Sequence, residues 1–261
     1  MSVTVAIRFP LGRYHATPWD RSVNEGEVEW PSPWRLLRTL VATWHTRWPD
    51  LLAGELDRIL DALGEPPAYR TPATSPGHTR HYLPDLAHRT GATGNTDLTL
   101  DPFLWLSRAD PLLVRWEARL DHEQRETLAK LLELVPYLGR AESVCEARLL
   151  DPAEEPEPDE HWWRPEPTGG QRLRLLAPVL PVRRPLLELS TVEMRKQRRT
   201  VPPETRWVTY TRVAPDPPTT TAGGSSATRT EVASSATSAT ASSSRTGRRS
   251  ATGAGSEGRA A

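Results

Sequence analysis

Cysteine is almost missing from this chain. Cys145 is the only one in 261 residues, so no internal disulfide can form and cysteine-rich zinc sites are excluded. Charge of one sign is also missing: 33 basic and 33 acidic residues cancel. That excludes a uniformly basic nucleic-acid coat and leaves room for a local basic surface. No apolar run is long enough to cross a bilayer, and the N-terminus lacks the apolar core of a signal peptide. A cytoplasmic protein with no membrane partner is expected. No Gly-x-Gly-x-x-Gly, phosphate-binding loop, nucleophile elbow or His-Glu-x-x-His pattern occurs. No cofactor is therefore expected. His78, His81 and His88 are loosely spaced, with no carboxylate or cysteine to complete a set, so no metal site is expected either.

What is present is organised around residues 28–48. Ser32 is placed to cap a helix, and Pro33 suits its first position, where no amide donor is needed. Trp34, Leu37, Val41, Trp44 and Trp48 recur at three- and four-residue spacing, and Pro49 ends the run. Arg35, Arg38 and His45 lie off that stripe. The helix has an aromatic face to bury and a basic flank to offer an anion.

Before it, residues 2–9 alternate as a strand. After it, residues 51–63 form a second helical pattern closed by Gly64 and Pro66-Pro67. Residues 68–96 are rich in Pro, Gly, Thr and His and are expected as a long loop. Strands are expected over 97–106, where Pro102 marks an edge or a bulge, and over 112–116 as its partner. Asp121 caps a helix from His122 to Leu134, and a further strand covers 143–150. The order strand, helix, strand, strand, helix, strand is that of an α+β, ferredoxin-like domain over residues 1–150. In such a domain both helices lie on one sheet face, and the other face is expected to be free for binding.

Residues 151–171 are acidic and proline-rich around Trp162-Trp163 and are expected as a linker. A partial second α/β unit follows over 172–213, with strands near 173–176 and 207–210 and a helix near 186–198. Residues 214–261 collapse to Ser, Thr, Ala, Gly and Arg without one aromatic residue, and disorder is expected there. A change that abrupt suggests a truncation or a shifted reading frame.

Three groups carry candidate chemistry. Arg13, His15, Arg35 and Arg38 are joined by the loop between the first strand and helix. Arginine suits phosphate bidentately, while the spacing fits a solvated helix flank equally well. Arg80, His81 and Tyr82 combine a cation, an imidazole and a phenol that suit phosphate contact and proton transfer. Arg195, Lys196, Arg198 and Arg199 form a dense basic run. Among ten tryptophans, Trp34, Trp44 and Trp48 read as core, whereas Trp19, Trp30 and Trp163 lie in loops, where base stacking competes with partial burial.

The opening Val5-Ala6-Ile7-Arg8-Phe9-Pro10-Leu11-Gly12-Arg13-Tyr14-His15-Ala16-Thr17-Pro18-Trp19 and the stretch from Glu29 to Trp44 resemble a CRISPR-associated family of the Dpsyc subtype, also called type I-U or I-G. So do 80–84, 100–103, Tyr137-Leu138-Gly139-Arg140-Ala141-Glu142-Ser143 and 206–210. The resemblance spans about residues 3–212. It implies a member of the RAMP superfamily that fuses two Cascade roles, holding the 5′ handle of the CRISPR RNA and processing the precursor. It also implies CRISPR RNA and other Cascade subunits as partners. Arg13, Arg35, Arg38, Arg80, Tyr82, Arg195 and Arg198 are the candidate RNA contacts. If cleavage is retained, it is metal-free attack by a ribose 2′-hydroxyl, with His15 or His81 as base. Family members are longer, and the resemblance implies that the processing half is not represented in residues 1–213. The alternative is a structural subunit that docks on protein through its aromatic loops and touches no RNA.

Overall fold

The central strand is β1 (Val3–Arg8). Val3, Val5 and Ile7 are buried on one of its faces and Thr4 and Ala6 on the other, the two-sided burial of a sheet interior. It pairs antiparallel with β6 (Leu112–Trp116) and with β7 (Glu146–Leu149), and β3 (Ala68–Arg70) extends the sheet beyond β6. The strand order is β3-β6-β1-β7. Helices α1 (Pro33–Arg47), α2 (Ala53–Ala62) and α3 (His122–Glu133) cover one side, packing Leu37, Leu40, Leu60, Leu128 and Leu132 against Val5, Ile7 and Trp116. The computed structural model describes residues 2–20, 28–84, 96–166 and 170–212, with backbone alone at 81–84, 96–99 and 195. The tail expected to be disordered lies outside those residues. The protein is an α+β structure with antiparallel sheets.

Local chemistry explains the helices. Pro33 takes the first position of α1 as expected, but Ser32 makes no side-chain capping bond. Trp34, Leu37 and Val41 are buried, whereas Trp44 and Trp48 are half-buried, and Leu36 and Leu40 complete the stripe. Trp44 stays at the rim because its indole N–H donates to the Leu51 carbonyl at 2.8 Å, bridging α1 to the start of α2. In α3 the cap is the expected Asp121, in a reciprocal box: its carboxylate accepts from the Gln124 amide at 2.8 Å, and Gln124 accepts from the Asp121 amide at 2.9 Å.

Residues 68–96 are not one long loop. They contain β3 and β4 (Thr74–Pro84), and β4 forms a long antiparallel hairpin with β5 (Thr96–Leu106). The two-residue β2 (Arg13–Tyr14) lies on the other side of β5. Pro76 is tolerated because β4 is an edge strand, and Pro102 because β2 ends opposite Leu104. Gly77 reads as a loop residue, but its reason is packing: a Cβ there would meet the Phe103 ring at 2.7 Å. Residues 97–106 therefore do not pair with 112–116. β3 takes the place beside β6.

Residues 151–164 are anchored on the sheet rather than free, although most of them stay exposed. Trp162 is 1% exposed on the sheet face opposite the helices, against Ala6, Leu113 and Leu150, and Trp163 exchanges backbone hydrogen bonds with Tyr69 at 2.9 and 2.7 Å. The face expected to be open is thus covered. Beyond it, β8 (Gln171–Pro178) and β9 (Thr205–Arg212) form a hairpin whose Leu175, Leu176, Val208 and Tyr210 enter the same core as α1. The single helix expected over 186–198 is two short ones, α4 (Arg184–Glu188) and α5 (Thr191–Lys196), broken at Leu189-Ser190.

Candidate functional site

The outward side of α1 is one wall of an open cleft of about 780 Å³. Arg35, Arg38, His45 and Arg47 line that wall. Trp19 closes one end, Tyr137 and Gly139 stand on another side, and Leu187, Glu188 and Thr191 form a lip. The helical period explains Arg35 and Arg38, which share with Ala42 and Thr46 the face turned away from the core stripe, whereas His45 and Arg47 join the cleft from the last turn.

The two arginines of the first turns differ. Arg35 is engaged internally: it donates to Glu29 at 2.7 Å and to the Thr17 carbonyl at 2.7 Å, tying the loop before α1 to the helix. Glu29 is almost fully buried, and burial pushes its carboxyl above the usual range against the pull of Arg35. Arg38 donates to the Leu189 carbonyl at 2.7 Å and has no ion pair among the described residues. Burial, followed by repulsion from Arg35, holds its guanidinium below the ordinary arginine range. Both guanidinium carbons lie over the Trp19 ring, at 5.4 and 5.6 Å from its centroid. Arg47 is exposed with no ion pair among the described residues, and Tyr137 is 44% exposed. His45 faces Glu188 at 3.1 Å across the lip.

The turn that carries Tyr137 and Gly139 also builds a second polar cluster. Arg140 pairs with Asp101 of β5, and Arg13 approaches the same carboxylate at 3.7 Å. His15 sits between them with its side chain 1% exposed, Nδ1 lying 3.1 Å from Glu142 and 3.5 Å from Asp101. Burial holds this imidazole below its ordinary range, against the pull of Asp101. The backbone locks the cluster: the Arg140 amide donates to the His15 carbonyl at 2.9 Å, and the His15 amide to Ser143 Oγ at 2.8 Å. Gly139 has φ +90°, and a Cβ there would collide with the His15 carbonyl. The ligand atoms of His15, Asp101 and Glu142 lie within 4.8 Å of one another, as a metal would require. The Arg140 guanidinium, however, sits on Asp101 and 3.3 Å from His15 Nδ1, and so takes the position of the cation.

The structure brings Arg35 and Arg38 into one cleft and places Arg13 and His15 in the adjoining cluster. Arg80 is exposed on β4 and lines neither. His81 and Tyr82 belong to β4 and Arg195 to α5, but their side chains lie outside the described residues. Arg198 is exposed just beyond α5, at φ 54°. Sequence reasoning passed over Asp101, Arg140, Glu142, Tyr137 and Arg47 as site residues. The first four stand in the two motif stretches 100–103 and 137–143, which carried the signal without a spatial context.

No protein-family model matches the chain, and no curated protein matches it. Fold and cleft define a class: an α+β protein with antiparallel sheets and a cationic, aromatic-edged cleft. Among the described residues no helix is long and apolar enough to cross a membrane.

Proposed function

We propose that this chain binds single-stranded RNA in the α1 cleft without cutting it, as the CRISPR RNA-holding subunit of a Cascade complex of the Dpsyc subtype, in the cytoplasm. The observation that carries the reading is Arg38. It is a half-buried guanidinium beside a second arginine, with no ion pair of its own among the described residues: Arg35 holds Glu29, and Glu188 at the lip is engaged by Arg184 and His45. A phosphate supplies the missing charge, Arg47 a second contact, and the exposed Tyr137 ring a face for a base. The antiparallel order β3-β6-β1-β7, with crossovers through α1-α2 and through α3, supports the ferredoxin-like reading of residues 1–150. The sequence resemblance supplies the CRISPR RNA handle and the other Cascade subunits as partners. The non-cutting part rests on His15, whose buried ring has Nδ1 engaged by Glu142 and lacks the access that a general base needs.

The test is fluorescence anisotropy with a labelled single-stranded CRISPR repeat over a salt series. Arg38→Gln with Arg47→Gln should weaken binding and flatten the log–log salt slope by about 1.4, at roughly 0.7 per lost phosphate contact. An unchanged slope would remove the cleft from the reading. The same RNA incubated in chelator should stay intact, and a product at a unique site would refute the non-cutting claim. The docking alternative is favoured by Leu11 and Trp105, which are 55% and 50% exposed. Binding to a partner subunit that persists at high salt while RNA binding is absent would establish it instead.

A further inference from the structure

We propose that the sheet face opposite the helices is a second binding surface for the phosphate backbone of single-stranded RNA, and that the acidic segment 151–160 is its displaceable resident occupant. This goes beyond the cleft and does not depend on it, but its choice of RNA as the polyanion rests on the reading of this chain as an RNA binder.

The register places the charges. One row across the sheet reads Arg70, Leu113, Ala6, Arg148, so two arginines stand about 14 Å apart, three strand spacings, on either side of the apolar centre that Trp162 covers. Arg115 stands beside Thr4 in the next row on one side, and Arg8 two residues beyond Ala6 on the other. Arg8, Arg70 and Arg148 are exposed, and Arg70 has no ion pair among the described residues. Guanidinium groups spread over a flat face suit successive phosphates.

The segment lying over this face has the opposite charge. Residues 151–160 contain Asp151, Glu154, Glu155, Glu157, Asp159 and Glu160 and no basic residue. Their contacts imitate those of a polyanion. Arg148 donates to Glu154 at 2.7 Å, Ser2 Oγ to Glu155 at 2.5 Å, and Arg115 to the Pro156 carbonyl at 3.3 Å. The hold is weak, because the Arg148–Glu154 pair is half exposed on both sides, and exposed pairs contribute little. It is also incompletely satisfied: Thr4 Oγ1, Glu155 Oε1 and Trp162 Nε1 are all buried at this seam without a hydrogen-bond partner among the described residues. Leaving such atoms unpaired is unfavourable, and lifting the segment relieves it. Both ends are firmly tied, by the Leu150 amide to the Thr4 carbonyl at 2.9 Å and by Trp163 to Tyr69. The segment can therefore rise as a handle without unravelling the sheet.

The experiment compares RNA affinity by anisotropy for the full chain and a strap variant in which Glu154, Glu155, Glu157 and Glu160 become Gln and Asp159 becomes Asn. A control variant neutralises Asp50, Glu55, Glu123, Glu126 and Glu133 on the helical side, giving the same net charge. The strap variant should bind about tenfold more tightly at low salt, with a salt slope steeper by roughly 1.4 to 2, two to three additional phosphate contacts. The control variant should gain much less. Adding Arg70→Gln and Arg148→Gln to the strap variant should abolish the gain, while Arg38→Gln with Arg47→Gln should leave it in place. Equal gains in strap and control variants, no gain at all, or a gain that survives loss of Arg70 and Arg148 would each overturn the proposal. Failure of the cleft reading is separate, and shows as wild-type binding indifferent to Arg38 and Arg47.

Discussion

Replacing Arg35 by methionine separates a structural arginine from a ligand-binding one. The side chains of Arg35 and Glu29 are 17% and 4% exposed and 2.7 Å apart. Removing the guanidinium strands a carboxylate in the interior and deprives the Thr17 carbonyl of its donor. Breaking a buried pair from one side costs about 3–5 kcal/mol. For a domain of this size that lowers the melting temperature by about 6–20 °C, at roughly 2–4 °C per kcal/mol. Adding Glu29→Gln should recover much of the loss, leaving a deficit of roughly 1–2 kcal/mol from imperfect hydrogen bonding. The pH dependence has a definite sign. Burial raises the Glu29 carboxyl in the folded state, so the folded protein binds the proton more tightly than the unfolded chain. Its contribution to stability is present at low pH and is lost as pH rises from the ordinary carboxyl range through the folded value. Without Arg35 that loss grows. Urea unfolding of wild type, single and double variants between pH 4 and 8 measures all of this. An Arg35→Met variant within about 1 kcal/mol of wild type, or a double variant no more stable than the single one, would refute a buried and interdependent pair.

Other expectations follow from particular contacts. Trp34→Ala should cost about 3–5 kcal/mol in denaturant unfolding, since the ring is fully buried. Trp44→Ala should cost less, and Trp44→Phe about 1 kcal/mol, the value of the indole bond to Leu51. Gly139→Ala should lose at least roughly 1–3 kcal/mol from the positive φ alone, with a further penalty from the His15 carbonyl. Because burial lowers the folded-state pKa of His15, its contribution to stability is present above about 6.5 and is lost as pH falls through the folded value. His15→Gln should flatten that limb in a pH series of unfolding free energies.

Much of the local structure is written in short-range chemistry. Pro33 starts α1, Asp121 and Gln124 close a box that needs no tertiary partner, and β-branched and aromatic residues mark β1, β6 and β9. These features depend on neighbours within a few residues, and the sequence carries them unaided. The basic flank of α1 was legible too, because helical periodicity alone separates Arg35 and Arg38 from the buried stripe.

What each charge faces was decided by the tertiary structure. Arg35 and Arg38 look alike along the chain, yet a carboxylate six residues upstream neutralises one, while the other meets a carbonyl from residue 189 and the Trp19 ring and has no ion pair among the described residues. His15 reads as a reactive imidazole until residues 101, 140 and 142 close around it. Gly77 and Pro76 read as loop until Phe103 explains the missing Cβ and an edge position excuses the missing donor. The acidic stretch 151–160 reads as linker because composition reports only that it is soluble, whereas Trp162 and a basic sheet face give it a seat. For Arg38, His15 and Gly77 the physical reason is sequence separation. Burial and pairing energies depend on distance in space, and partners tens of residues or more apart leave no periodicity by which either could announce the other.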